Sequence, residues 1–335
     1  MALLFSLYLR TGLKLLFKPP HLRVFLNYFK YLFNRLSQSE WVKHTPIQVV
    51  IYTTPNCNLN CPFCFIGEEL NPVDGADYEL TLSQYLNLKK SFFFKNSLRV
   101  GLLGGEPFLA KDIFEILEDM KSERKVTTIV TNCTLLKGAK LEQFKKVATD
   151  MLGLSLYQSN YQDVARVHRE LAEESVIWVQ AIVEADGLSE VEKMIKFAIE
   201  IGCGDLRLAN YYPTDGQGQE KVIREGNTQF EKLKRELAEK YQGVINLSWP
   251  IPLPAKVIKK SCLQPISYVH LNNKGDLGGC FIRPPNKSRY GNIFESDPWN
   301  KQVYRDLRVN MRNGEQPADS LCKDCENLAG DLYKL

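Results

Sequence analysis

The chain has 335 residues, enough for one large domain and a smaller one. Its 44% hydrophobic and 24% charged content is that of an ordinary soluble globular protein and excludes a disordered or fibrous chain. A formal charge of +4 is mild for this length and gives no reason to expect nucleic acid as a partner.

Residues 1–36 are rich in Leu, Phe and Tyr, with Arg10, Lys14, Lys18, Arg23, Lys30 and Arg35 spaced through them; the first acidic residue is Glu40. Charges interrupt every apolar stretch before it reaches the ~20 residues that cross a bilayer. No basic region precedes the apolar start, unlike a secretory signal. Pro19-Pro20 divides the segment into two helices. Two readings of this lead-in (residues 1–45) follow. It packs on the domain behind it, or it forms an amphipathic helix pair on a membrane surface, basic residues toward anionic lipid. A mitochondrial transit peptide is a third reading.

From residue 47 strands and helices alternate. Strands are expected over 47–54, 98–103, 126–131, 151–157, 176–183 and 206–211. Helices are expected over 80–96, 109–124, 140–150, 161–174 and 188–201. Apolar strands separated by helices imply an α/β chain with a parallel sheet covered by helices. Right-handed crossovers then curl residues 46–215 into a partial (β/α)6, TIM-like barrel. Residues 216–255 read as a charged helix, 220–241, and a rigid connector marked by Pro250, Pro252 and Pro254. In residues 256–335, segments 267–271 and 277–282 flank Asn273-Lys274-Gly275-Asp276 as a hairpin with a glycine turn.

The chemistry-bearing residues fall where the strands end. Nine cysteines, clustered rather than scattered on a chain too large to need staples, read as metal ligands in a reducing, cytoplasmic compartment. Cys57, Cys61 and Cys64 follow the first strand in a C-x-x-x-C-x-x-C run. Three thiolates are one short of a closed zinc or iron–sulfur site, so one iron of a cubane stays open to a reactant. The second strand runs into Gly104-Gly105-Glu106-Pro107. Together the cysteine triad and this turn resemble the radical S-adenosylmethionine (SAM) superfamily, from about residue 46 onward.

The resemblance implies a SAM-binding [4Fe-4S] cluster on Cys57, Cys61 and Cys64. It implies Phe63 near the adenine, and Gly104, Gly105, Glu106 and Pro107 at the methionyl ammonium. Asn132, Ser155 and Gln180 are expected at the polar contacts of SAM. Cys133 stands where the family usually has glycine; it and Cys203 read as small buried residues. Tyr157, Tyr211 and Tyr212 line the substrate cavity or pack beside it.

Cys262, Cys280, Cys322 and Cys325 would close a four-thiolate site, which zinc and a four-iron cluster both accept. Their spacing resembles the twitch form of the SPASM extension, which implies one auxiliary [4Fe-4S] cluster. The implied reaction is reductive cleavage of SAM to a 5′-deoxyadenosyl radical. Oxidation of a small molecule or peptide follows, with the auxiliary cluster accepting an electron and flavodoxin or ferredoxin supplying the first. A redox-neutral epimerase with a structural auxiliary cluster, and a non-enzymatic zinc or electron-carrier protein, are the alternatives. The basic lead-in also leaves a lipid-linked substrate open.

Overall fold

Short apolar runs build the strands β1 (Gln48–Tyr52), β2 (Arg99–Leu103), β3 (Val126–Thr131), β4 (Met151–Ser155), β5 (Val176–Val183), β6 (Asp205–Asn210), β7 (Asn246–Ser248), β8 (Tyr268–Leu271) and β9 (Leu277–Gly278). This computed structural model describes residues 19–37, 39–64, 78–212, 218–253, 262–280 and 285–313. The strands form one open sheet in the order β7-β6-β5-β4-β3-β2-β1-β8-β9. Every pairing is parallel except β8 with β9. The helices are α1 (Leu22–Ser37), α2 (Leu82–Leu88), α3 (Phe92–Asn96), α4 (Ile113–Ser122), α5 (Ala139–Lys146), α6 (Tyr161–Leu171), α7 (Val191–Glu200), α8 (Thr228–Lys240), α9 (Gln264–Ser267), α10 (Lys287–Tyr290) and α11 (Gln302–Asn313).

The core is the sheet's apolar side chains against the helices. Val49, Ile51, Val100, Leu102, Ile129, Leu152, Leu154, Val179 and Leu206 are all buried. Each such side chain contributes about 1.5–3 kcal/mol relative to exposure. The α/β, mostly parallel architecture is the one expected.

Several boundaries differ, each for a local reason. The helix expected over 80–96 is two helices, because Ser91 caps α3 by accepting a bond from Phe94 N (3.2 Å). The helix expected over 140–150 stops at Lys146. Asp150 instead accepts bonds from Thr127 N and Thr127 Oγ1, fixing the start of β4 beside β3. The helix expected over 220–241 begins at Thr228, capped by Asn227. The hairpin forms at its expected turn, with Gly275 at φ +84°. However, β8 pairs along the outer edge of β1, so the hairpin continues the main sheet and covers an edge that would otherwise be open.

α1 runs beneath the starts of the strands. Asn27 Nδ2 donates to Thr45 O, before β1, and to Asn96 O, before β2. Arg124 Nε, before β3, donates to Pro19 O (2.6 Å). His44 Nε2 meets Ile266 O (2.7 Å), before β8. The last described helix meets this layer as well. Arg308 of α11 donates to Pro265 O, Glu40 O and Trp299 O. Residues 1–18 lie outside the described residues. Among the described residues no helix is long and apolar enough to cross a membrane.

Candidate functional site

The C-terminal ends of the strands are stitched together by backbone bonds. Beyond β1, Thr53 N donates to Leu103 O (2.7 Å). Gly105 N donates to Thr54 O (2.7 Å) and Glu106 N to Asn56 O (2.8 Å). These bonds tie the cysteine loop to the Gly104–Pro107 turn, and only glycine fits the approach. Gly104 sits at φ +155°, and a Cβ there would lie 2.6 Å from Thr54 O. At Gly105 a Cβ would lie 2.1 Å from Asn56 O and 2.5 Å from Asn56 C. Pro107 opens a short 3-10 turn, where its missing N–H loses nothing.

Glu106 points inward. Its carboxylate, 1% exposed, accepts bonds from Thr131 Oγ1 (2.8 Å), Asn132 N (2.8 Å) and Phe108 N (3.3 Å). It therefore fastens the end of β2 to the end of β3. Burial outweighs these donors and pushes its pKa up to about 7. The ammonium contact expected of this side chain is correspondingly restricted, because three intrachain donors already occupy it.

Asn132 is fully engaged beside the cysteine loop. Its Nδ2 donates to Asn58 Oδ1 (3.1 Å) and faces Cys57 Sγ (3.8 Å). Its Oδ1 accepts from Thr134 N (3.1 Å) and Thr134 Oγ1 (2.6 Å). Leu59 N is a second donor to Cys57 Sγ (3.4 Å). Cys133 takes φ +70°, a left-handed backbone that glycine adopts more readily than a residue with a Cβ. Full burial pushes the Cys133 thiol well up, disfavouring the thiolate.

Sequence reasoning missed Asn160. It precedes α6, yet its side chain does not cap that helix. Instead Nδ2 donates to Asn132 O (2.8 Å) and Ser155 O (2.8 Å), while Oδ1 accepts from Tyr157 N (2.8 Å). One amide thus spans the ends of β3 and β4; the only signal was an Asn placed between a strand and a helix. Ser155 Oγ accepts from Gln180 Nε2 (3.3 Å), so these two expected contact residues meet each other across β4 and β5. Phe63 stacks on Tyr157 (centroids 5.7 Å apart) and meets Tyr211 edge-on (6.5 Å).

The three thiols lie close enough to act on one another. Partial desolvation raises Cys57 and Cys61 above the ordinary thiol value, and Cys64, joined at Cys57 by Glu106, raises both further. Three contacts oppose this: Leu59 N and the Asn132 side chain at Cys57, and the Tyr157 hydroxyl, hydrogen-bonded to the Cys61 thiol. Among the described residues no three His, Cys, Asp or Glu side chains converge on a single ion. A cubane cluster asks for no such convergence, because each thiolate binds a different iron. A loop of three neighbouring thiols with N–H donors aimed at sulfur fits that group.

The second cysteine set is described in part. Cys262 leads into α9 and β8, Cys280 follows β9 beside Tyr304, and both are half-buried. Cys322 and Cys325 lie outside the described residues. Cys203 is buried in the turn before β6, far from the other thiols in the sequence, with its Sγ 3.2 Å from Asp205 O.

The sequence profile of the Radical SAM superfamily matches residues 51–223. The chain is 23% identical over 316 residues to a PqqA peptide cyclase of Rhizobium meliloti (strain 1021), covering 86% of this chain and 81% of that one. It is 26% identical over 169 residues to Molybdenum cofactor biosynthesis protein 1 of Dictyostelium discoideum, covering 50% of this chain but only 26% of that protein. In fold it is similar to Streptococcus suis SuiB bound to precursor peptide SuiA, with a TM-score of 0.59 and 19% identity over 90% of this chain and 75% of that one.

Proposed function

We propose that this chain, which belongs to the radical SAM superfamily, holds its SAM-binding [4Fe-4S] cluster on Cys57, Cys61 and Cys64 and modifies a peptide. The carrying observation is the pair of backbone bonds from Gly105 and Glu106 to Thr54 O and Asn56 O. They hold a glycine-lined turn against a three-thiol loop. When bound, the cluster and SAM supply a one-electron cleavage that yields a hydrogen-abstracting radical.

The chain's own residues bind and orient. Gly104 and Gly105 present bare backbone to the methionyl end of SAM. Glu106 braces that turn from behind through its bonds from Thr131, Asn132 and Phe108. Phe63, with Tyr157, offers an aromatic face to the adenine. Ser155 and Gln180 form a polar wall toward SAM. Together they hold the reactants close and exclude water and other hydrogen donors.

A peptide substrate is favoured by the relatives, which include a PqqA peptide cyclase matched over most of its length. We extend the reading to residues 256–335 as a twitch-type region with one auxiliary [4Fe-4S] cluster on Cys262, Cys280, Cys322 and Cys325. Residues 46–215 are then the catalytic barrel, 216–255 the connector and 1–45 the lead-in. The net reaction is an oxidation, with the auxiliary cluster as electron acceptor and a flavodoxin- or ferredoxin-type donor.

Anaerobic reconstitution tests the reading and should give about eight irons per chain. Addition of SAM and dithionite should then release 5′-deoxyadenosine. Zinc without that product would overturn it.

Asn132 is a positioning residue whose N–H stabilises charge on Cys57 Sγ. An N–H aimed at a cluster sulfur favours the reduced state. Asn132→Leu should therefore lower the potential of the first cluster in an EPR-monitored redox titration. An unchanged midpoint would remove Asn132 from this role.

A further inference from the structure

α1 packs with its less apolar side inward. Its buried residues are Val24, Asn27, Tyr31 and Asn34. Leu22, Phe25, Leu26, Phe29, Phe33 and Leu36 follow helical spacing along the opposite face and are 45% to 84% exposed. A stripe of six large apolar side chains on one exposed face marks a surface that something covers.

The charge pattern says what covers it. Residues 1–39 hold six Lys and Arg and no Asp or Glu, leaving 37 Lys and Arg against 39 Asp and Glu in the rest of the chain. The whole positive excess therefore lies in and before this helix. Lys30 flanks the exposed stripe and is itself exposed. A second copy docked through the same face would bring two acid-free, basic segments together, a like-charge arrangement that opposes association. An anionic bilayer takes the apolar stripe into its interface and the cations onto its headgroups.

We infer that α1 is a monotopic anchor that seats the protein on an anionic membrane surface. The structure also fixes the orientation. α1 and the residues leading into it are tethered to segments just before strands: Asn27 Nδ2 donates to Thr45 O, before β1, and to Asn96 O, before β2, Arg23 Nε donates to Lys95 O, before β2, and Pro19 O accepts from Arg124, before β3. The cysteine loop and glycine turn lie at the other ends of those strands, separated by about 17 Å of sheet. The anchor therefore holds the reaction mouth away from the lipid, facing water. A substrate arrives from solution, which weighs against the lipid-linked substrate that the basic lead-in left open. The orientation rests on the strand ends being the reaction mouth; the anchoring does not.

Flotation of the full chain tests the anchor, using vesicles of phosphatidylcholine alone and of phosphatidylcholine mixed with phosphatidylglycerol. The wild type should float with the anionic vesicles at least about tenfold more than with the neutral ones. A Phe25→Glu/Phe29→Glu/Phe33→Glu variant, altered only at exposed positions and checked by its melting curve, should stay in the soluble fraction. No flotation of the wild type, or equal flotation of the variant, overturns the inference. So does a wild-type dimer in sedimentation velocity that the variant dissolves, since that would make the occupant a second copy. For the orientation, vesicle-bound enzyme should release 5′-deoxyadenosine from SAM at the rate of free enzyme. A severalfold loss on vesicles, with flotation intact, would overturn the orientation and leave the anchor standing.

Discussion

Replacing Gly105 by alanine is expected to remove SAM cleavage while leaving most of the fold in place. The new methyl group would lie 2.1 Å from Asn56 O, 2.5 Å from Asn56 C and 2.7 Å from Pro55 O. All three are backbone atoms, so no side chain can rotate away. The turn and the cysteine loop must move apart, breaking the Gly105–Thr54 and Glu106–Asn56 bonds. A displacement of about 1 Å between reacting groups costs on the order of a hundredfold in rate. Overpacking of this size costs about 1–3 kcal/mol of stability. The checks are 5′-deoxyadenosine release under dithionite and a thermal melt of the same preparation. Activity within a few-fold of wild type would mean that the glycine turn serves the fold alone.

Cys57→Ala is expected to abolish the same activity by a different route. Cys57 is exposed and contributes nothing to the core, so the melting temperature should hardly move in protein without iron. With one ligand gone, the first cluster should not assemble. Iron should fall from about eight to about four per chain, the remainder sitting on the C-terminal cysteines. Release of 5′-deoxyadenosine should drop to the uncatalysed background. The result to look for is the separation: iron halved, activity lost, fold kept. Full iron with no activity would move the first cluster elsewhere. No iron at all would mean that the C-terminal set holds none.

The two variants differ in what they probe. Cys57→Ala removes a proposed ligand, whereas Gly105→Ala leaves every ligand and shifts the frame that holds them. Loss in both cases, with iron retained only in part, ties the glycine turn and the thiol loop into one site.

Much of this molecule was legible from the chain itself. β3 and β5 have the expected bounds: β3 is β-branched throughout and β5 is a Val- and Ile-rich run, each standing between charged helices. The thiol triad and the glycine turn were visible as motifs, since close backbone approach and soft-metal ligation each demand particular residue types at short range. Where local chemistry competed with periodicity, periodicity lost. Ser91 broke one expected helix by capping the next, and Asp150 left another to bond Thr127.

What the sequence determined is therefore local: the alternation of strands and helices, the order of the motifs, the hairpin turn and the amphipathic character of the lead-in. What only the tertiary structure decided is which neighbours meet. The edge of β1 accepts β8 although more than two hundred residues separate them. Glu106 turns inward to Thr131 and Asn132, and Asn160 bridges two strand ends. The lead-in helix buries its asparagines and presents its phenylalanines. Hydrophobic periodicity says that a helix has two faces but not which one turns inward. That choice was made by carbonyls at the base of the sheet, which need hydrogen-bond donors and find them in Asn27 rather than in Phe29.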